Sequence, residues 1–405
     1  MKVAVMGYGT IGSGVVEVLR INKDRIAERA GEPVEVKYVL DLREFPGDPM
    51  EDKIVHDYQV IANDPEVGIV VETMGGVEPA FTFVKAMLEA GKQVTTSNKA
   101  LVAAKGAELI RIAREKNVNF QFEASVGGGI PIIRPLNCCL TADEIEEITG
   151  ILNGTTNYML TKMSEEGAEF EDVLKDAQAK GYAEKDPTAD IEGHDPCRKI
   201  AILTSLVCGR QVDFEDIHCE GITKISATDI KYAKAMNRSI KLLASSRKEG
   251  ESYVAMVAPF LLPQTHPLCN VNDVFNGVFV HGNVLGDAMF YGSGAGKLPT
   301  ASAVVADIVD MAKHQHVNIV TCDQDFRVYL DGILAVKDSQ IVYVGQEKPE
   351  ILEQAEQIID YQGAWIMPGL VNCHTHSAMT GLRGIRDDSN LHEWLNDYIW
   401  PAEAE

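Results

Sequence analysis

The first fourteen residues constrain the fold more than any other part of this 405-residue chain. A short apolar segment, KVAVM (2–6), is followed at once by GYGTIGSG (7–14), and a run with helical periodicity continues from it. Gly7, Gly9 and Gly12 form a GxGxxG pattern in the strand, turn and helix context that dinucleotide binding needs. The pattern predicts a nucleotide-binding domain, with a plain glycine-rich turn as the alternative.

The same glycines predict how a dinucleotide is held. The first permits a tight turn, the second lets the backbone approach a pyrophosphate, and the third packs the helix on the strand. The free N–H groups and partial positive charge of the helix N-terminus then face the phosphates. The predicted cofactor contacts in this turn are Gly7, Gly9, Thr10, Ile11 and Gly12.

A second predicted strand, VEVKYVL (34–40), ends just before Asp41. An acidic side chain at that place can hold the ribose hydroxyls of NAD, although the spacing from Gly12 exceeds the usual ~20 residues. Arg43 stands close by and can meet the 2′-phosphate of NADP. Both NAD and NADP therefore remain open as the cofactor, and a turn role for Asp41 is the alternative.

Further strands alternate with helical segments over the first 130 residues. GIVVETMGG (68–76) and QVTTSNKAL (93–101) are each followed by a helix, and VNFQFEASVGGG (118–129) ends the alternation. This order predicts a parallel, doubly wound sheet, in which ligands lie off the carboxyl ends of the strands. The pocket candidates at such strand ends are Thr73, Asn98 and Lys99.

The charge and composition of the chain make some classes of binding partner unexpected. The formal net charge is −23, and no basic stretch offsets it, so nucleic acid and anionic membranes are not expected partners. No apolar run approaches the roughly 18 residues of a membrane helix. The apolar first strand follows residue 2 with no charged leader, and the eight cysteines form no CxxC pair. A cytoplasmic location is therefore expected.

The segment GYAEKDPTADIEGHDPCRK (181–199) concentrates the residues that can carry chemistry. A predicted helix ends before Gly181, and the next helix starts near Asp195, which shares a face with Lys199 four residues later. Carboxylates such as Glu184, Asp190 and Asp195 accept an ammonium group, and a lysine can transfer a proton to an oxygen. In the alternative interpretation Asp195 is only a helix N-cap and Lys199 is solvated.

The order of motifs over residues 1 to about 313 resembles homoserine dehydrogenase. That family reversibly reduces L-aspartate 4-semialdehyde to L-homoserine with NADPH or NADH, in the pathway to threonine, methionine and isoleucine. The resemblance therefore implies a small amino-acid substrate. The matching segments are GYGTIGSG, VVETMGG, TSNKAL, FEASVGGGIPIIRPL, GILNGTTNYML, GYAEKDPTADIEGHDPCRK, EGI and YGSGAGKLPTASAVVADIVD.

The resemblance also implies roles for individual residues. Lys199 corresponds to the proton donor to the carbonyl oxygen, and Lys99 to a second lysine near nicotinamide and substrate. Further implied roles comprise three substrate carboxylates (Glu184, Asp190 and Asp195), two cofactor contacts from the substrate domain (Gly181 and Gly296), and a sodium or potassium ion held mainly by backbone carbonyls at Glu123, Val126, Gly128 and Ile130.

The fold implied by the resemblance is α/β. A Rossmann-like, doubly wound parallel sheet occupies residues 1–130. An α+β substrate and dimerisation domain occupies residues 131–313, with its last helix (299–313) packed back on the nucleotide-binding domain. A homodimer or homotetramer is expected.

The sequence pattern changes in residues 314–405, where short predicted strands alternate with turn signals. MPGLVNCHTHSAMTGLRG (367–384) contains an HxH pair, His374 and His376. This segment resembles the start of amidohydrolase-superfamily deaminases that act on methylthioadenosine and adenosylhomocysteine. A barrel needs at least ~200 residues, and a catalytic zinc needs three protein ligands. The two histidines are therefore expected to be an incomplete, non-functional divalent-metal motif, and a working metal-dependent deaminase is the alternative.

Overall fold

The computed structural model describes residues 1–313, 318–321, 327–329, 332–337, 340–346, 348–352, 354–355 and 365–367. Cα packing divides the chain into two compact units, Met1–Gln315 and His316–Glu405. Within the described residues, no helix combines the length and apolar character needed to span a bilayer.

A six-stranded sheet organises the first part of the larger unit. All of its strands are parallel, in the order β3-β2-β1-β4-β5-β6. This order is the doubly wound arrangement that binds dinucleotides at its central switch point, and it confirms the predicted parallel sheet. The strands are β1 (Lys2–Met6), β2 (Glu35–Leu40), β3 (Ile54–Val55), β4 (Val67–Glu72), β5 (Gln93–Thr96) and β6 (Phe120–Gln121).

Helices cover both faces of this sheet, as the near-continuous apolar strands require. The single helical run predicted after the glycine turn is two helices, because Asn22 ends the first and precedes the second. The helices of this region are α1 (Thr10–Ile21), α2 (Lys23–Ala30), α3 (Tyr58–Ala62), α4 (Ala80–Glu89) and α5 (Lys99–Lys116).

A second six-stranded sheet follows, in the order β12-β11-β7-β9-β10-β8. Its neighbouring strands are antiparallel except for the parallel pair of β10 and β8. This mixed sheet agrees with the α+β character expected for the middle of the chain. The strands are β7 (Ile145–Ile151), β8 (His218–Cys219), β9 (Arg238–Glu249), β10 (Ser252–Pro263), β11 (Phe275–Gly282) and β12 (Gly286–Ser293).

Helices pack on one face of the second sheet. Ile148 and Val278 of the sheet share a buried apolar cluster with Met159 and Leu203 of the helices. A smaller cluster, which includes Phe279, lies on the other face. The helices of this region are α6 (Gly154–Glu166), α7 (Phe170–Ala179), α8 (Thr188–Ile191), α9 (His194–Cys208) and α10 (Ala227–Ala235).

One helix returns from the second sheet to the first. α11 (Lys297–Lys313) buries Val304 and Ile308 in the cluster that contains β1 and α1. Its Asp307 carboxylate accepts hydrogen bonds from the hydroxyl of Thr95 at 2.8 Å and from the guanidinium of Arg134 at 2.7 Å. Burial raises the pKa of Asp307 to about 7, and the Thr95 hydrogen bond and Arg134 oppose that rise. Helix α11 is thus held against the first sheet by a polar anchor in addition to the apolar one.

The smaller unit is β-rich, as predicted. β15 and β16 form an antiparallel hairpin, and β13 pairs with β14 and β17. His374 and His376 lie outside the described residues. The elements are β13 (Asn318–Val320), β14 (Val328–Tyr329), β15 (Gly332–Lys337), β16 (Gln340–Gln346), α12 (Pro349–Leu352) and β17 (Trp365–Ile366).

The glycine turn makes a prediction that separates folding from binding. A Cβ on Gly12 would lie 1.9 Å from the carbonyl oxygen of Gly7, whereas a Cβ on Gly9 would meet nothing within 4 Å. We expect Gly12→Ala to lower the free energy of unfolding by about 1–3 kcal/mol through overpacking. Gly9→Ala should fold normally yet weaken dinucleotide binding, because its methyl group occupies the approach of the pyrophosphate. Thermal denaturation and cofactor titration of both variants test this, and an equal loss of stability in both would contradict it.

Candidate functional site

The predicted nucleotide-binding turn is assembled by backbone hydrogen bonds. Gly7 adopts a φ of +95° and donates its N–H to the carbonyl of Leu40 at 2.8 Å. The hydroxyl of Thr73 donates to the carbonyl of Gly7 at 2.8 Å, which ties the end of β4 to the turn. Gly9 is the N-cap of α1, so Thr10 and Ile11 open the helix. The structure therefore brings the predicted turn residues and Thr73 together.

Asp41 lies one residue beyond β2 and faces the same turn. Its Oδ2 accepts the backbone N–H of Tyr8 at 2.8 Å, and Arg43 donates to both carboxylate oxygens at 2.9 and 3.0 Å. Hydrogen bonding from Arg43 holds the pKa of Asp41 far below its usual range, against the opposing effect of burial. The position therefore presents an anionic carboxylate with an exposed guanidinium beside it.

The loop after β5 is fixed by a buried carboxylate that sequence reasoning missed. Glu72 is fully buried and accepts hydrogen bonds from the N–H of Met74 and the hydroxyl of Thr96. Burial raises the pKa of Glu72, and the Thr96 hydrogen bond opposes the rise. Asn98 caps α5 through the N–H of Leu101, and its amide donates to the carbonyl of Gly76 at 2.6 Å. Helix α5 thus begins at a fixed point.

Asp195 and Lys199 both lie inside helix α9. The helix begins at His194, after Gly193 in a left-handed conformation, so Asp195 belongs to the first turn. The alternative interpretation of Asp195 as an N-cap is therefore wrong, as is that of Lys199 as a solvated side chain. Asp195 and Lys199 are 3% and 8% exposed. Their spacing of four residues puts both on the helix face that is turned into the protein.

Two lysines surround the Asp195 carboxylate. The ammonium of Lys199 lies 2.8 Å from Oδ2, and the ammonium of Lys99 forms an ion pair with Oδ1. Lys199 also donates to the carbonyl of Leu152 at 2.7 Å. Apart from the Lys99 ion pair, Oδ1 is buried without a hydrogen-bond partner among the described residues. Through Lys99 and Asp195, the cluster connects the start of α5, which follows β5 of the parallel sheet, with α9.

Asn153 links this cluster to a second carboxylate. Its amide donates to Asp190 Oδ1 at 2.7 Å and to Asp195 Oδ2 at 2.9 Å. Sequence reasoning missed Asn153, although an asparagine before the helical run GTTNYML is a recognisable N-cap signal. Asp190, Asp195, Lys199 and Lys99 are therefore brought together as predicted.

The pKa shifts in the cluster follow from burial and charge. Burial acts to raise the pKa of Asp195, but Lys199 and Lys99 together hold it well below its usual range. Burial lowers the pKa of Lys199 and repulsion from Lys99 adds to that effect, while the charges of Asp195 and Asp190 oppose it. The pKa of Asp190 is raised, mainly by burial, while its hydrogen bond from Asn153 opposes the rise. The site can therefore hold an anionic carboxylate beside a lysine that gives up its proton unusually readily.

Three other predicted residues lie in the loops around the cluster. The Glu184 carboxylate is exposed and has no recorded polar contact with the four clustered residues. Gly181 follows α7 with a φ of +75°, which confirms the predicted helix terminator. Gly296 precedes α11 with a φ of +120°.

The predicted ion-binding segment forms a buried bend. The Glu123 carboxylate accepts three backbone N–H groups, from Ile132, Ile133 and Arg134, so it is already occupied. Three residues of the bend are buried, and no described residue donates a hydrogen bond to their carbonyls; these are Val126, Gly128 and Ile130. No cluster of three or more His, Cys, Asp or Glu side chains suited to a metal ion occurs among the described residues.

Both regions of the larger unit match families of known proteins. Residues 7–123 match the NAD-binding domain of homoserine dehydrogenase, and residues 131–309 match the homoserine dehydrogenase family. The homoserine dehydrogenase of Bacillus subtilis is 42% identical over 322 residues, which cover 79% of this chain and 74% of that protein.

Solved structures give the same result. The homoserine dehydrogenase of Thiobacillus denitrificans is 42% identical with a TM-score of 0.74, covering 77% of this chain and 73% of that one. A hyperthermophilic archaeal homoserine dehydrogenase mutant, solved in complex with NADPH, is 28% identical with a TM-score of 0.65, covering 76% of this chain and 97% of that one. The chain belongs to the homoserine dehydrogenases, the NAD(P)-dependent oxidoreductases that interconvert L-aspartate 4-semialdehyde and L-homoserine in amino-acid biosynthesis.

Proposed function

We propose that the cluster of Asp190, Asp195, Lys99 and Lys199 is the site at which the semialdehyde is reduced. The observation that carries the proposal is the buried Asp195 carboxylate between two lysines. Lys99 begins the helix after β5 of the parallel sheet, and the ligands of such sheets lie off those strand ends. The cluster therefore faces the edge of the sheet where a nicotinamide ring is expected.

Each group has a task in this proposal. Asp190 and Asp195 accept the substrate's ammonium group, which replaces Lys99 at Asp195 Oδ1. Lys199 gives its proton to the aldehyde oxygen while hydride adds to the carbonyl carbon. When bound, the reduced nicotinamide supplies that hydride. In the reverse reaction neutral Lys199 takes the hydroxyl proton of homoserine. The lowered pKa of Lys199 suits both directions, because the amine changes protonation state readily.

The proposed roles of three loop residues rest on the sequence motifs in which they lie. Glu184, in the exposed loop after α7, is a further substrate carboxylate. Gly181 and Gly296 contact the cofactor, and both have the positive φ that lets backbone approach a ligand closely.

Asp41 and Arg43 are the proposed determinants of cofactor choice. The Asp41 carboxylate can accept the ribose hydroxyls of NAD, and the exposed Arg43 guanidinium can bind the 2′-phosphate of NADP. NAD and NADP are therefore both proposed cofactors. The archaeal relative was solved with NADPH.

A sodium or potassium ion is proposed at the bend of residues 123–130. Backbone carbonyls are suitable ligands for such hard cations, and those of the buried residues Val126, Gly128 and Ile130 accept no hydrogen bond from the described residues. The fourth ligand is the carbonyl of Glu123, whose carboxylate is engaged elsewhere. The ion would stiffen the connection between the two sheets.

The remaining proposals concern the domain boundaries and the oligomeric state. We retain a nucleotide-binding domain at residues 1–130, a substrate domain at 131–313, and a homodimer or homotetramer formed through the second sheet. Residues 314–405 are proposed as an amidohydrolase-like segment, which lies beyond the homoserine dehydrogenase family match at residues 131–309.

Replacement of Lys199 tests the proposed acid. We expect Lys199→Ala to reduce kcat by ~10²–10⁴-fold in both directions, because general acid–base catalysis is lost. The matched control is Lys185→Ala, an exposed lysine in the neighbouring loop, which should leave kcat unchanged. The absorbance of NAD(P)H gives both rates, and unchanged turnover by Lys199→Ala would disprove the assignment.

The pH profile tests the electrostatics. Homoserine oxidation needs neutral Lys199, so its kcat should rise with pH and level off below the ordinary lysine range near ~10.4. The negative charge of Asp195 acts to raise the pKa of Lys199. Asp195→Asn should therefore move the rising limb to lower pH, even as substrate binding weakens. A shift to higher pH, with kcat measured at saturating homoserine, would be inconsistent with this pairing.

Replacement of Arg43 tests cofactor discrimination. Arg43→Ala should raise the KM for NADP by about 10-fold or more, because a charge-assisted contact to phosphate is lost. The KM for NAD should change little, since the Asp41 carboxylate remains. Arg111→Ala, an exposed arginine of α5, is the control. Equal effects on both cofactors would show that Arg43 does not read the 2′-phosphate.

A further inference from the structure

Asn153 is oriented by the helix that it caps. It is 5% exposed and lies between β7 and α6. Its Oδ1 accepts the N–H of Thr156 at 2.9 Å and the hydroxyl of the same residue at 3.0 Å. Because the oxygen is used as a helix cap, the NH₂ group must point the other way. That orientation does not depend on any ligand.

The NH₂ group of Asn153 points at two carboxylates from different helices. It donates to Asp190 Oδ1 of α8 at 2.7 Å and to Asp195 Oδ2 of α9 at 2.9 Å. The preceding residue, Leu152, offers its carbonyl to Lys199 at 2.7 Å. Residues 152 and 153 therefore bind both acids and the lysine of the cluster at once.

Asp195 is buried and Asp190 is half-buried, and two carboxylates this close together tend to share a proton, because the charge of each disfavours ionisation of the other. A proton shared between Asp190 and Asp195 would remove the charge that attracts an ammonium group. A single amide with two N–H donors satisfies both acids and has no proton to give up. The other charged groups that face Asp190 are Lys199 of α9 and Lys99 of α5.

We propose that Asn153 is a positioning residue that keeps Asp190 and Asp195 separate and ionised, so that the pair recognises the substrate's ammonium group. The inference rests on the proposed function of the cluster and names a determinant of substrate binding outside the acids and lysines themselves. Asn153 acts through the carboxylates and does not touch the reacting atoms.

The first test uses variants that keep the helix cap. Serine and aspartate both cap helices well, but neither donates two N–H groups to the carboxylates. Asn153→Ser should raise the KM for aspartate 4-semialdehyde by roughly 10- to 100-fold, as expected for lost hydrogen bonds to charged groups. Its kcat should fall much less. Asp57→Ser, at the cap of α3, is the matched control and should change neither constant.

The pH profile separates positioning from general damage. Semialdehyde reduction needs ionised acids and a protonated Lys199, so kcat/KM should be bell-shaped in pH. In Asn153→Ser the acidic limb should move up by about one unit or more, because the acids lose the donor that favours their charged forms. A uniform loss with no shift of that limb would overturn the proposal.

A double variant guards against simple misfolding. Asn153→Asp combined with Asp190→Asn restores one amide and one carboxylate with their positions exchanged. Its loss in kcat/KM should be smaller than the product of the two single losses, which is the signature of a direct interaction. Losses that multiply would contradict the proposal.

The variants at Lys199 and Asn153 together distinguish an error about Asn153 from an error about the site. If Lys199→Ala is inactive while Asn153→Ser has the KM and pH profile of the unaltered enzyme, only the role of Asn153 is wrong. If Lys199→Ala retains full turnover, the proposed site itself is wrong.

Discussion

The buried carboxylate of Asp195 is the interaction on which the proposed site depends. A charged carboxylate that is 3% exposed is stable only if nearby cations and hydrogen-bond donors replace the water that it has lost. Lys199 comes from the same helix, Lys99 from the helix after β5 of the parallel sheet, and Asn153 from the cap of α6, just after β7 of the second sheet. Because these partners come from separate parts of the fold, the charge is stable only where those parts meet.

The fold fixes that meeting point with buried polar contacts. Glu72 holds the loop before α5 through Met74 and Thr96, which sets where Lys99 begins its helix. On the return path, Asp307 of α11 binds Thr95 and Arg134. Apolar packing can slide by fractions of an ångström at little cost, whereas a buried hydrogen bond specifies which atoms face each other. Asp307 therefore fixes α11 and Arg134 against the end of the parallel sheet, while Glu72 fixes the loop before α5.

Sequence periodicity predicted the parallel sheet, the glycine turn and the shared face of Asp195 and Lys199, because each depends on residues close in the chain. The two-residue strand β3 and the break at Asn22 were missed, since neither produces a periodic signal. Asn153 was missed for a different reason. Its role as the N-cap of α6 is a local feature. The carboxylates that its amide contacts, Asp190 and Asp195, lie some 40 positions away in the sequence. Glu184 was expected beside the lysine and is exposed, because a loop after a helix end is placed by no local rule.

The two lysines of the cluster differ in exposure, and that difference decides their proposed tasks. The side chain of Lys199 is 10% exposed, and that of Lys99 is 42% exposed. Burial lowers the pKa of Lys199, because water can no longer stabilise the charge of its amine. Proton transfer at moderate pH needs that property, so Lys199 is the better acid and base. The more exposed side chain of Lys99 has room to leave Asp195 when a substrate ammonium arrives. We therefore propose Lys99 as an exchangeable counter-ion, which keeps the buried carboxylate paired between turnovers.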